Sequence, residues 1–144
     1  MKPLRFFVAG FPVPKGSAKA FVVKGRAIVT DSAGTPLKAW AAAVHGAAQT
    51  AMAAEQPLAG PVELSLIFTV VRPQSHPKGR RTWPSTRPDI DKLVRGVLDA
   101  MTGVVFLDDG QVVAIFTEKL WAGVDAPRGP GVEVTIERPE AWQP

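Results

Sequence analysis

Four carboxylates bracket one stretch of the chain. Asp89 and Asp91 form an Asp-x-Asp pair, and Asp108-Asp109 follow some twenty residues later. Between the pairs, apolar residues recur at Ile90, Leu93, Val94, Val97, Leu98 and Met101, the spacing of one buried helix face, and Gly103 is a stop signal. With Asp91 as N-cap, the preceding residues are extended. Positions two apart in an extended stretch point the same way, so Asp89 and Asp91 face one point in space. The apolar run Val104–Leu107 is expected to return the chain to the start of the helix and bring Asp109 to the same point. Carboxylates gathered in this way repel one another unless a cation neutralises them, and oxygen ligands suit a hard ion such as Mg²⁺ or Mn²⁺. Each pair also has a simpler reading: Asp89 or Asp91 as a helix cap, Asp108-Asp109-Gly110 as a turn. Two pairs flanking one helix, beside a long basic segment, favour a site.

That basic segment is residues 72–88 (RPQSHPKGRRTWPSTRP). It carries Arg72, Lys78, Arg80, Arg81 and Arg87 without any acidic residue, and its prolines and glycine prevent regular structure. A loop this long in a compact domain is usually functional. Its cations suit phosphates, and Trp83 suits stacking on a base. Lys15 and Lys19 flank a small-residue turn and are further candidates for phosphate contact.

The remaining chain supplies the frame. Residues 4–11 read as a strand, 20–30 as a hairpin with a basic tip at Lys24-Gly25-Arg26, and 36–54 as an alanine-rich helix capped by Thr35. Residues 62–71 alternate strictly at Val62, Leu64, Leu66, Phe68 and Val70, with enough apolar character on the second face to predict a central strand covered on both sides. Residues 111–121 and 132–138 read as two more strands, and 139–144 as a frayed tail on which Trp142 is able to dock. The fold expected is one small α/β (α+β) domain over 1–144, with a mixed sheet and two main helices.

Composition narrows the function classes. A length of 144 residues with 46% apolar content suits a single folded domain. No apolar run is long enough to span a membrane, and the N-terminus reads as a strand rather than a signal peptide. The chain has no cysteine, which excludes disulfides and thiolate zinc sites, and His45 and His76 lie too far apart to pair on a metal. A cytoplasmic protein is expected. The net charge of +4 says less than the clustering of cations at 72–88.

The order of these features resembles the RusA family of Holliday junction resolvases, found in bacteria and often encoded by phages and prophages. The likeness rests on the basic segment, Asp89-Ile90-Asp91-Lys92-Leu93, the helix ending Leu98-Asp99-Ala100-Met101, then Leu107-Asp108-Asp109-Gly110-Gln111-Val112 and a strand carrying Lys119. It is strongest over residues 62–121 and looser over 1–40, where Pro12-Val13-Pro14-Lys15-Gly16 is similar to the phage-type members. The resemblance implies a homodimer that binds four-way DNA junctions and cuts two strands with Mg²⁺ or Mn²⁺. It implies catalytic and metal-binding roles for Asp89, Asp91 and Asp109. Where the family has a catalytic lysine this chain has Arg95, which keeps the charge but does not give up a proton; Lys119 matches a lysine of the following strand. Two alternatives remain open on the residues alone: a branched-DNA-binding protein with lost or weak catalysis, signalled by Arg95, and a metal-dependent enzyme acting on a small phosphorylated substrate.

Overall fold

The structure, a computed structural model, describes residues 1–16, 18–31 and 34–144, of which 18–21, 23 and 27–31 are described by their backbone only. Strand β1 (Leu4–Ala9) is followed by the hairpin β2 (Ala18–Val23) and β3 (Arg26–Asp31), helix α1 (Gly34–Met52), strand β4 (Val62–Val70), helix α2 (Ile90–Met101), and strands β5 (Val112–Trp121) and β6 (Gly131–Glu137). The main sheet has the order β1-β6-β4-β5; β4 pairs antiparallel with β6 and parallel with β5, and β1 pairs antiparallel with β6. The hairpin forms a separate two-stranded ribbon. Its turn residues Lys24 and Gly25 both have positive φ, 50° and 76°, which matches the right-handed twist of the flanking strands.

The alternation read from 62–71 is what buries β4. Val62, Leu64, Leu66 and Phe68 pack with Trp40, Val44 and Ala48 of α1, Leu93, Val97 and Met101 of α2, and Val132, Val134 and Ile136 of β6 in one core. The α1 helix ends at Met52, where Ala53 takes a left-handed φ of 53°, two residues before the expected end. Coverage of β4 on both sides does not hold. Its other face, with Glu63, Ser65 and Ile67, is only half-buried. Both helices join the core on one side, and the other face carries a shallow depression lined by Glu63, Ser65, Phe116, Thr135 and Glu137.

Trp142 docks on Gly60, where an added Cβ would lie 2.7 Å from the indole, and the Arg138 guanidinium stacks over its ring at 4.3 Å. Gly60 has a φ of 79°, so both the backbone and the close approach require glycine there.

Helix α2 owes its position to its buried stripe. Leu93, Val97 and Met101 are fully buried, and Gly96 and Ala100 let the helix sit close to its neighbours. The backbone of Val13 and Lys15 crosses directly over Gly96, and Lys15 N donates to Lys92 O at 3.0 Å. Truncating Leu93 to alanine removes the anchor beneath the Asp-x-Asp turn. The expected cost is about 2–5 kcal/mol, read as a lower urea midpoint at unchanged slope.

Candidate nucleic-acid cleavage site

The crossover between two parallel strands decides where the carboxylates lie. A parallel pair cannot be joined by a tight turn, so α2 carries the chain from the carboxyl end of β4 back to the amino end of β5. Asp89 therefore stands at the carboxyl end of the strand pair, with the loop 72–88, where open α/β sheets place their ligands.

Several bonds hold that end together. Lys119 Nζ donates to the carbonyls of Thr86 and Pro88, both at 2.8 Å, directly before Asp89. Trp121 Nε1 donates to the Thr82 carbonyl at 3.1 Å, and His76 packs edge-on against the Trp121 ring. Asp125 accepts from Trp121 N at 2.6 Å and from Arg81 Nη1 at 2.5 Å. The Arg72 guanidinium donates to the Pro77 carbonyl. The loop is thus built onto the end of β5, a role of Trp121 and Asp125 that no sequence motif signalled.

The helix starts two positions earlier than expected. Asp89, not Asp91, is the N-cap, with extended φ and ψ of −71° and 133°, and Leu93 N donates to its carbonyl at 3.1 Å. Its side chain makes no capping bond and lies 3.7 Å from Lys92 Nζ. Asp91 sits exposed in the first helical turn. Both carboxylates are exposed to solvent, and the simple capping reading of the pair does not apply to either side chain.

Asp108 and Asp109 divide differently. Asp108 accepts from Gly110 N at 2.8 Å and caps a 3₁₀ turn, Asp109–Gln111, so the turn reading describes this residue. Gln111 closes the reciprocal half of the box. Its Oε1 accepts from Leu107 N and Asp108 N, and its Nε2 donates to the carbonyls of Leu58 and Gly60, both at 2.8 Å. Asp109 is exposed and takes no part in that network.

These bonds place Asp109 at the amino end of β5, beside the entry to β4. The expected return of the chain to the start of the helix does not occur. The run Val104–Leu107 instead pairs locally with Leu58, and α2, about 17 Å long at 1.5 Å per residue, runs between the Asp-x-Asp turn and this run. Among the described residues no three His, Asp or Glu side chains are grouped to hold a metal ion. The set Asp89, Asp91 and Asp109 of one chain therefore does not fit a common divalent cation.

The cations also sort into committed and free. Lys15 is bonded to Asp99 and Arg81 to Asp125, so neither is idle at the surface. Arg95 is exposed and forms no ion pair with Asp91 or Asp99. Lys78, Arg80 and Arg87 are exposed. Trp83 is 62% exposed rather than packed on the core, with the Arg81 guanidinium 4.5 Å from its ring centroid. A cleft of about 210 Å³ lies beside it, lined by Phe11, Val70, Pro84, Arg87 and Trp121. The Lys19 side chain lies outside the described residues.

An α+β domain with a basic loop and two free carboxylates at the carboxyl end of a parallel strand pair defines a candidate phosphodiester-processing protein. The comparisons with known proteins agree. The family model for endodeoxyribonuclease RusA matches residues 10–137, and the chain belongs to that family. A Bacillus subtilis (strain 168) protein described as uncharacterized protein YqaN is 27% identical over 98% of this chain and its own whole length. Membership makes the chain a member of a nuclease family that acts on branched DNA junctions. Among the described residues no helix is long and apolar enough to cross a membrane.

The motif's glutamine and its second aspartate have separable roles. Gln111→Ala removes four hydrogen bonds to backbone groups and is expected to cost about 2–4 kcal/mol. Asp109→Ala is expected to stay within about 0.5 kcal/mol of the parent. Urea denaturation of both variants checks the contrast.

Proposed function

We propose that this chain is a Holliday-junction-resolving endonuclease. It hydrolyses one phosphodiester bond in each of two opposed strands of a four-way junction, requires Mg²⁺ or Mn²⁺, and works as a homodimer in the bacterial or phage-infected cytoplasm. The observation that carries this reading is the family match over residues 10–137. The free Asp89 and Asp91 carboxylates beside an exposed basic loop support it.

Each part of the site has a task in that reaction. Lys78, Arg80 and Arg87 neutralise backbone phosphates and release counterions, which makes binding strongly salt-dependent and largely blind to sequence. Trp83 offers a stacking face to a base unpaired at the branch point. Arg95 lies one helical turn beyond Asp91, on the same side of α2, and stabilises charge that develops on the phosphoryl oxygens. Guanidinium does not transfer protons at neutral pH, so Arg95 acts by charge alone. Lys119 is spent on the carbonyls of Thr86 and Pro88 and positions the turn that presents Asp89.

The replacement of the family's lysine by Arg95 favours a second reading, a junction-binding protein with little or no cleavage. Incubation of immobile and mobile four-way junctions with and without Mg²⁺ or Mn²⁺ separates the two. Paired, metal-dependent nicks are expected, with a loss of at least about 100-fold in Asp91→Asn and in Arg95→Ala and of less than about tenfold in Arg95→Lys. Tight binding without nicks under any metal establishes the second reading instead. Replacing Lys78, Arg80 and Arg87 together by alanine is expected to lower the slope of log affinity against log salt by about 2–3, checked by titration of a labelled junction at several salt concentrations.

A further inference from the structure

The carbonyls of Leu58, Ala59, Gly60 and Pro61 are taken alternately by two side chains. Those of Leu58 and Gly60 accept from Gln111 Nε2, both at 2.8 Å. Those of Ala59 and Pro61 accept from Arg138 Nη1, at 2.6 and 3.0 Å. The segment between α1 and β4 is therefore gripped from two sides, by a residue just before β5 and by one just after β6.

Each grip is itself anchored. The Gln111 carboxamide is saturated: its Nε2 donates both protons to the segment, while its Oε1 accepts from Leu107 N at 2.9 Å and Asp108 N at 3.0 Å. It ties the segment to the turn that carries Asp108 and Asp109. On the other side, the Arg138 guanidinium stacks on the Trp142 ring at 4.3 Å, and the same indole closes on Gly60. Trp142 N donates to Pro139 O at 3.2 Å, and Ala141 takes a left-handed φ of 62°. An alanine holds that conformation only where its surroundings impose it. The turn 139–142 thus folds the indole back onto Arg138 and Gly60 together.

Burial does not explain these bonds. Ala59 and Gly60 are exposed, so water is able to satisfy their carbonyls. The side-chain bonds instead leave the segment a single geometry. Asp109 is exposed and makes no bond in the network, so the backbone that the network fixes decides where its carboxylate stands.

We propose that Arg138 and Trp142 are positioning residues that strap the Asp108-Asp109 turn in place. The indole locks the guanidinium and Gly60, the guanidinium and Gln111 lock residues 58–61, and that segment holds the turn in the geometry that presents Asp109 to the substrate. The part of Asp109 in the reaction rests on the nuclease reading given above; the strap does not.

Amide hydrogen exchange, followed residue by residue by NMR, tests the strap without any substrate. Arg138→Ala and Trp142→Ala are each expected to speed exchange of the Leu107 and Asp108 amides by at least about tenfold, while Leu66 and Phe68 in β4 keep their wild-type rates. Unchanged exchange at Leu107 and Asp108 in either variant overturns the strap. Equal acceleration of all four amides overturns it too, because that pattern reports a general loss of stability.

The second measurement is single-turnover cleavage of a four-way junction in Mg²⁺, at saturating protein, beside junction affinity measured without divalent metal. Trp142→Ala is expected to cut at least about tenfold more slowly than wild type while its affinity stays within about twofold. Loosened amides beside an unchanged cutting rate overturn the positioning of Asp109, as does a loss of affinity that accounts for the whole loss of rate. A wild type that cuts no junction removes the nuclease reading, and the exchange pattern then decides the strap by itself.

Discussion

The parallel pairing of β4 with β5 is the constraint on which the rest of the molecule depends. Hydrogen bonds between parallel neighbours are available only if the chain returns to the same end of the sheet before it re-enters. Helix α2 makes that return, and its buried stripe of Leu93, Val97 and Met101 fixes it on the core. Whatever precedes α2 then stands at one end of the sheet and whatever follows it at the other. The loop 72–88, Asp89 and Asp91 belong to the first group, and Asp108, Asp109 and Gln111 to the second.

Each end is secured by side chains that serve the backbone rather than a ligand. At the carboxyl end, Lys119, Trp121 and Asp125 bind the loop to β5 and to the turn after it. At the amino end, Gln111 saturates Leu107, Asp108, Leu58 and Gly60. An irregular segment of this length would otherwise leave backbone donors and acceptors without partners where water is partly excluded. The side chains left out of these networks, Asp89, Asp91, Asp109 and Arg95, are all exposed.

The electrostatics follow the same division. The net charge of +4 spreads little by itself. What matters is that Lys15 and Arg81 are absorbed by Asp99 and Asp125, while Lys78, Arg80, Arg87 and Arg95 remain on the surface near the Asp-x-Asp turn. Those free cations supply the attraction for a polyanion. The carboxylates among them oppose it locally, an arrangement suited to chemistry on a phosphate more than to tight binding of one.

Much of this was legible from residue order. The 3.6-residue stripe of α2, the alternation in β4 and β6, the hairpin within 20–30 and the basic loop all follow from local patterns. The Asp-x-Asp and Leu-Asp-Asp-x-Gln-Val motifs likewise marked the family. The open second face of β4 was not legible, since Ile67 and Val71 resemble core residues in sequence, yet among the described residues Ile67 is only half-buried and Val71 is exposed. Nor was the division of labour between Asp108 and Asp109, which turns on which carboxylate meets the Gly110 amide. The sequence by itself determined which residues carry charge, which face of each element is apolar, and that one helix links the two acidic pairs. Only the tertiary structure decided that this helix holds those pairs apart, because a parallel strand pair requires the crossover to span the sheet from one end to the other.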